Sequence, residues 1–356
     1  MLFGKPKSQL GVDIGTSNIK IVQLRPKDNK FVLETYGTVN VAYQLSNKDS
    51  ISSITQTAQL LKNLLQKSGV TTHKVIASLP NSVVFTSVIE MPKIPEDELG
   101  TAIEFEAKKY VPLPLEEVAL SWSVIEERTK KITKDTKDTN LGSPTGNTKT
   151  KVLLTAVPTA VVDNYIKVFH EAGLEPEALE IEALSLIRSL VGEDLNTIVL
   201  IDVGAKNTSI NLVDNGYLRL SKNLTVGGDT VTTSIAQSLS VNFARAEQFK
   251  KDFGLTSQNQ QIPQVMRPIL DIIKNETVQL INLFESRGEK IDKVLLSGGG
   301  AKLPNLSEYF STVGKPVSLA APWSNVLYPP ELKGLVEPLG LNLAVAAGLA
   351  MRHSGD

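Results

Sequence analysis

The sequence predicts an α/β protein made of two related lobes, with a small β-α-β-β-α unit inserted into the first. The duplication is indicated by an apolar run that delivers an Asp-x-Gly turn at Asp13 and again at Asp202. Each turn is followed by a strand, a second turn and another strand. The insertion is indicated by strand and helix patterns between residues 83 and 177. A length of 356 residues fits about two domains.

The composition excludes several classes of function. Lys and Arg number 37 and Asp and Glu 38, so the chain lacks the basic excess typical of nucleic-acid binders, and we expect no nucleic-acid partner. The absence of cysteine excludes disulfides, thiolate metal sites and cysteine nucleophiles. The three histidines are scattered, without metal-ligand spacing, which disfavours zinc sites and Ser-His-Asp triads.

The first Asp-x-Gly turn has the chemistry of a phosphate site. Its glycine lets the backbone bend sharply and approach an anion closely, and successive N–H groups can donate to phosphate oxygens. A carboxylate repels phosphate directly, so we expect Asp13 to bind Mg²⁺, directly or through water. Lys20 adds a positive charge from the adjoining strand. The predicted donors are Gly15, Thr16, Ser17 and Asn18.

The inserted unit begins with a strand over residues 83–91. A helix starting at Pro95 is favoured by proline and acids in its first turn. Strands over 118–125 and 152–157 follow, and a helix over 158–172 ends at Gly173. Between the last two strands, residues 127–151 contain seven Lys/Arg, three Asp/Glu and few large apolar residues, which predicts a mobile loop. A basic arm on anionic lipid is the alternative, and a solvated loop is favoured.

The second Asp-x-Gly turn repeats the first. It predicts phosphate contacts from Gly204 and Asn207, with Asp202 as a second Mg²⁺ ligand.

A third glycine cluster follows an apolar strand near residue 296. Its sequence, Ser-Gly-Gly-Gly-Ala-Lys, matches neither the Walker A motif nor the dinucleotide fingerprint. A bare backbone there would allow an adenine or ribose to pack flat, while an ordinary strand-to-helix turn is the alternative. The residues concerned are Gly298, Gly299, Gly300 and Lys302.

The three motifs, in this order, resemble those of the actin-like ATPase superfamily, which includes actin, Hsp70, sugar kinases and FtsA. The resemblance implies two phosphate loops, an adenosine loop, and ATP or ADP with Mg²⁺ bound between the lobes. Gly227, Gly228 and Asp229 resemble the family's Gly-Gly-Asp turn. Glu247 and Lys250 resemble its Glu-x-x-Lys pair, which borders the adenosine; an exposed helical ion pair is the alternative.

Other segments are similar to the PilM family of type IV pilus assembly proteins. These are the Ala-Ser-Leu-Pro strand at 77–80, the segment 102–114 and the closing segment 342–349. The resemblance implies a subdomain 1A over 1–82, 178–196 and 338–356, and an inserted subdomain 1C over 83–177. It implies a second lobe over 197–337, within which subdomain 2B occupies roughly 227–290.

The same resemblance implies a cytoplasmic scaffold at the inner face of the bacterial inner membrane. Such a scaffold holds the N-terminal cytoplasmic tail of PilN between 1A and 1C, contacts other pilus platform and motor proteins, and supports pilus biogenesis and twitching motility. The terminal amphipathic helix of FtsA has no counterpart here, so no direct membrane insertion is expected. Self-association is left open.

Hydrolysis of ATP is expected to be weak or absent. Ala205 stands where actin has an acidic residue after the glycine of its second phosphate loop. The catalytic residue is therefore unknown, with Asp202 and Asp163 as candidates for positioning the attacking water. An FtsA-like division protein and a sugar-kinase-type phosphotransferase are the alternative functions.

Overall fold

A computed structural model describes residues 7–41, 51–125, 149–256 and 261–352. The predicted loop at 127–151 lies outside these ranges except for its last three residues. Those three residues belong to a strand that begins at Lys149, so the strand starts before the predicted residue 152.

Strands and helices alternate along the chain, as the sequence predicts. The strands in chain order are β1 (Gln9–Ile14), β2 (Asn18–Lys27), β3 (Lys30–Asn40), β4 (Lys74–Leu79), β5 (Phe85–Pro92), β6 (Val118–Ile125), β7 (Lys149–Pro158), β8 (Glu175–Ile181), β9 (Ile198–Val203), β10 (Thr208–Asp214), β11 (Tyr217–Leu224), β12 (Lys293–Ser297), β13 (Val317–Leu319) and β14 (Val326–Leu327). The helices are α1 (Ile51–Ser68), α2 (Glu96–Ala107), α3 (Thr159–Ala172), α4 (Glu182–Leu190), α5 (Gly228–Leu239), α6 (Phe243–Phe253), α7 (Gln261–Glu285), α8 (Leu306–Phe310), α9 (Lys333–Val336) and α10 (Gly340–Ala350).

Two mixed sheets form the lobes, and they share one plan. The first has the strand order β14-β3-β2-β1-β4-β8 and the second β11-β10-β9-β12-β13. In each, an Asp-x-Gly strand lies centrally, pairs antiparallel with the strand that follows it and pairs parallel with a later strand. Parallel strands that are buried on both faces usually have continuous apolar sequences. The central strands β1 and β9 both show this pattern. The predicted duplication is confirmed.

The inserted unit has its own three-stranded sheet, in the order β5-β7-β6. Its core is formed by one face of this sheet and by α2, whose Leu99, Ile103 and Ala107 recur at the spacing of one helix face. The order β-α-β-β-α is present, with Gly173 in the left-handed conformation ending α3 as predicted.

The helix α3 packs differently from the other elements of this unit. Its buried side chains, among them Tyr165 and Phe169, join the core of β1, β4 and α1 in the first lobe. The subdomain boundaries remain a prediction, but the first-lobe core reaches into the range 83–177.

The last helix, α10, is a central support of the first lobe. Leu343, Ala347 and Leu349 are buried almost completely, against β1, β2 and α4. The helical stretch Pro330–Ala350 is long and apolar enough to cross a membrane by length and composition alone, and half of its apolar window is buried. Its most apolar part therefore serves here as a core helix.

Candidate functional site

The two Asp-x-Gly turns have the same backbone geometry. The N–H of Gly15 donates to the carbonyl of Asn18 at 3.0 Å, and that of Gly204 donates to the carbonyl of Asn207 at 2.9 Å. Each turn reverses the chain between two antiparallel strands, and both line a single cleft. The local sequence is sufficient to build each turn, because aspartate and glycine in this pattern favour tight reversal.

The carboxylate of Asp13 is already engaged on both oxygens. It is 2% exposed, and its Oδ2 accepts a hydrogen bond from Lys20 Nζ at 2.8 Å. Its Oδ1 accepts one from Ser78 Oγ at 3.2 Å. Burial works to lower the pKa of Lys20, but the contact with Asp13 and the charges of Asp202 and Glu182 together outweigh burial and raise that pKa. Asp13, predicted as a metal ligand, is here the partner of a buried ion pair.

The carboxylate of Asp202 has a different environment. Its cross-strand neighbour is Ser209, at the position that Lys20 occupies opposite Asp13. Burial raises the pKa of Asp202 to about 6, although Lys20 and Ser297 act in the opposite direction. The Ser297 hydroxyl itself has no hydrogen-bond partner in the described structure, so it lies close to the carboxylate without a full hydrogen bond.

A third carboxylate, Glu182, lines the same cleft, and the sequence analysis missed it. It is the first residue of α4, and its Oε2 accepts the backbone N–H of Asn81 at 3.4 Å. Burial, together with the charges of Asp13 and Asp202, raises the pKa of Glu182 to about 8. The signal available in the sequence was an acid directly after the apolar end of a strand, where a parallel strand opens onto a ligand crevice.

The Gly-Gly-Asp turn is attached to the second Asp-x-Gly turn. The N–H groups of Gly228 and Asp229 donate to the carbonyls of Gly204 and Ala205 at 2.9 and 2.8 Å. Burial raises the pKa of Asp229, and the charges of Lys250 and Lys206 together with the nearby Ser17 hydroxyl partly offset this. Because Ser17 belongs to the first Asp-x-Gly turn, the two sides of the cleft come close together at Asp229.

The Glu-x-x-Lys pair fastens α6 to the start of α5. Lys250 Nζ lies 2.6 Å from Glu247 Oε2 and donates to the carbonyl of Gly228 at 3.0 Å. Thr232 Oγ1 donates to the same glutamate oxygen at 2.6 Å. Both members of the pair line the cleft, so the arrangement is more than an exposed helical ion pair.

The third glycine cluster packs directly on the end of β9. Gly298 has φ 83°, and a Cβ on it would lie 2.4 Å from the carbonyl oxygen of Val203. A Cβ on Gly300 would lie 2.4 Å from Val203 Cγ1. Only glycine fits such close approaches, so the cluster reaches the second phosphate-type turn. Lys302 follows in the same 3-10 turn and lines the cleft, where burial and Lys251 lower its pKa.

The cleft has a volume of about 670 Å³, within the range of small-molecule sites. Every predicted binding and metal residue lines it, whereas the candidate Asp163 does not and is exposed on α3. Buried polar atoms without partners, Asn81 Nδ2 and Asn342 Oδ1, belong to lining residues. Such atoms are costly unless a ligand or water meets them.

The described residues contain no group of three or more His, Cys, Asp or Glu side chains close enough to hold a metal ion. Asp13 and Asp202 therefore do not form a complete metal site by themselves. A hard cation such as Mg²⁺ would need further oxygen ligands, which phosphates or waters supply.

Known proteins share this architecture. A chain of the PilM-PilN type IV pilus biogenesis complex superimposes with a TM-score of 0.81 at 25% identity, covering 97% of this chain and 98% of that chain. MreB5 of Spiroplasma citri bound to AMPPNP superimposes with a TM-score of 0.53 at 14% identity, covering 97% and 95%. These similarities confirm the actin-like ATPase fold.

The sequence comparisons agree. The cell division protein FtsA of Enterococcus faecalis is 24% identical over 96% of this chain and 83% of its own length. That of Bacillus subtilis is 23% identical over 80% and 68%. The sequence model for the type IV pilus assembly protein PilM matches residues 11–354, nearly the whole chain. The chain therefore belongs to the PilM family of type IV pilus assembly proteins.

Proposed function

We propose that this protein binds a nucleotide with Mg²⁺ in the cleft and acts as a scaffold of the type IV pilus assembly platform. One observation carries the nucleotide part: two Asp-x-Gly turns of equal geometry line the same cleft as a glycine cluster that only glycines can form. Backbone N–H groups in such turns are anion donors. The AMPPNP bound by the MreB5 neighbour supports the same site class.

The residues of the cleft suit the parts of ATP or ADP. The N–H groups of residues 16–18 and 205–207 would hold phosphates, and Gly298–Gly300 with Glu247 and Lys250 would border the adenosine. The partnerless Asn81 and Asn342 offer a donor and an acceptor to a ligand. Mg²⁺ would neutralise the phosphates, with Asp202 better placed to bind it than the ion-paired Asp13.

The environment of Glu182 is consistent with weak hydrolysis. Glu182 lines the cleft and is a candidate base for a water there, but burial and the charges of Asp13 and Asp202 raise its pKa to about 8, which favours the protonated form at neutral pH. A protonated acid donates a hydrogen bond and cannot act as a base. We therefore propose that the nucleotide acts chiefly as a conformational ligand, favouring the state of the two lobes to which it binds more tightly.

The partner part of the proposal is supported by the family and by the PilM-PilN complex that this fold matches. We propose that the N-terminal tail of PilN binds between the first lobe and the inserted unit. The protein would thereby lie at the cytoplasmic face of the inner membrane through its partner, supporting pilus biogenesis and twitching motility. Contacts with motor proteins belong to the same proposal.

The first experiment is a pair of calorimetric titrations of the wild-type protein, with Mg-ATP and with a PilN N-terminal peptide. Asp202→Asn should weaken Mg-ATP binding by at least tenfold. Asp163→Asn, which changes an exposed aspartate outside the cleft, is the matched control and should leave both affinities unchanged. ATP binding that survives Asp202→Asn would contradict the assigned metal ligand.

The peptide titration separates the scaffold from the alternatives. PilN-peptide binding that changes with Mg-ATP supports a nucleotide-gated scaffold, and binding indifferent to Mg-ATP limits the nucleotide to a structural role. Failure to bind the peptide in either state would overturn the scaffold and favour the FtsA-like division function. Rapid phosphate transfer to sugars would instead support the alternative of a sugar-kinase-type phosphotransferase.

A further inference from the structure

The outer edge of the inserted unit is a strand without a charged side chain. β6 (Val118–Ile125) reads VALSWSVI and forms one edge of the sheet β5-β7-β6. Edge strands of natural proteins usually carry charges or proline, which block pairing with another chain. Five of its eight residues are nevertheless exposed. An uncharged and exposed edge is suited to accept a further strand.

Two apolar side chains of β6 extend the core of the unit without being covered. Trp122 and Val124 are each 38% exposed. They pair with Leu154 and Val152 of β7, which are fully buried against α2, so all four lie on one face of the sheet. The helix passes close to Trp122 at Gly100, where an added Cβ would lie 4.0 Å from the indole ring. We call the exposed apolar strip formed by Trp122 and Val124, between α2 and the sheet edge, the groove.

Acidic side chains lie on the α2 flank of this groove and before the start of β6. Glu104 follows Gly100 by four residues and Asp97 precedes it by three, so both lie on the same flank of α2. Glu116 and Glu117 directly precede β6. All four are exposed, and none has an ion-pair partner among the described residues. Lys108 lies one turn after Glu104 on the same flank of α2. The acidic residues therefore outnumber the basic ones around the groove.

This surface faces away from the first lobe. The opposite face of the same sheet, including Leu153 and Val88, packs into the core shared with β4, β8 and α4. A peptide in the groove beside α2 therefore occupies a different surface from a tail held between the first lobe and the inserted unit.

We propose that β6 and α2 form a docking site for an extended, basic and apolar peptide of a partner protein. The peptide pairs with the edge of β6 that no strand of the described residues covers, places apolar side chains on Trp122 and Val124, and places basic side chains beside Asp97 and Glu104. Main-chain pairing supplies affinity, while the groove and its acids select the sequence. This site stands independently of the nucleotide and of the PilN tail.

The test uses Trp122 as its own reporter. The other tryptophan, Trp323, is 8% exposed and hydrogen-bonded, so acrylamide quenching reports chiefly on Trp122. The probe is the capped heptapeptide Lys-Thr-Val-Thr-Val-Thr-Lys, whose alternate residues share one face. Saturable protection of the fluorescence is expected, and Trp122→Phe gives the background signal of Trp323.

Three comparisons decide the result. Val124→Asp should abolish protection and Glu104→Lys should weaken binding about fivefold, with unchanged melting temperatures. Leu283→Asp, at a leucine 51% exposed on α7, is the matched control and should have no effect. A peptide with N-methylated central residues should not bind, because it cannot pair with β6.

The proposal is overturned by any of three outcomes. One is the absence of protection, and another is equal protection by the same peptide with glutamate in place of lysine. The third is protection that rises with protein concentration without peptide, which would show that β6 pairs with a second copy of this chain.

Discussion

The two Asp-x-Gly turns share a backbone but hold their aspartates in opposite ways. In the first lobe, Asp13 faces Lys20 across the strands and is neutralised by it at 2.8 Å. In the second lobe the residue facing Asp202 is Ser209, and burial raises the pKa of Asp202 to about 6. The duplicated strand pattern thus specifies the turn, while one cross-strand neighbour decides whether its carboxylate is committed or available.

The correspondence extends to the strands beside the turns. Ser78, the last residue but one of β4, donates to Asp13, and Ser297 pairs in register with Asp202. The two lobes differ at Gly11, two residues before Asp13, because the equivalent position before Asp202 is Leu200. Each such difference can be tested by a substitution that copies one lobe into the other or removes the side chain.

The largest effect is expected from copying the second lobe into the first with Gly11→Leu. A Cβ at Gly11 would lie 2.1 Å from the carbonyl oxygen of Ala346, so the leucine would displace the core helix α10. We expect a loss of at least about 3 kcal/mol in the free energy of unfolding, measured by urea denaturation. Gly334→Leu, at a glycine with no neighbour within 4 Å, is the control. Equal stability of the two variants would contradict the close packing of α10.

Lys20→Ser removes the difference between the two aspartates directly. The change leaves Asp13 buried without its cation, and we expect a loss of about 3 kcal/mol without nucleotide present. Lys206→Ser, at an exposed lysine of the second turn, should change stability by less than about 0.5 kcal/mol. Thermal and urea unfolding of both variants provide the measurement. A mild Lys20→Ser phenotype would mean that Asp13 is not held by this pair.

The third prediction concerns pH. The folded protein binds the Glu182 proton more tightly than the unfolded chain between pH 4.5 and about 8, so stability from this group falls as the pH rises. The expected slope is at most about 1.4 kcal/mol per pH unit. Asp202 contributes in the same direction only below about pH 6. Unfolding free energies at pH 6, 7 and 8 should decline in the wild type and stay nearly level in Glu182→Gln. Parallel curves for the two proteins would refute the assignment.

The smallest effect is expected from the two serines. Ser78→Ala removes a hydrogen bond to a buried carboxylate and should cost about 1–2 kcal/mol. Ser297→Ala removes a hydroxyl that lies close to Asp202 without a full hydrogen bond, so the loss should be about 0.5 kcal/mol or less. Each variant is the control of the other in thermal unfolding. A larger loss from Ser297→Ala would reverse our distinction between the two aspartates.

Much of the fold was accessible from the sequence because its determinants are local. Aspartate and glycine after an apolar run specify each turn, acids after Pro95 begin α2, and Gly173 ends α3. The repeat of these local patterns predicted the two lobes, and the order of the glycine motifs predicted which residues line the cleft.

The electrostatics of the site were decided by tertiary structure alone. Glu182 lies far along the chain from Asp13, yet the fold places their charges together, and burial then raises the pKa of Glu182. Likewise, α3 reads as part of the inserted unit but packs in the first-lobe core. Turns and helix ends follow from adjacent residues, whereas burial and charge coupling depend on distances that only the packed chain determines.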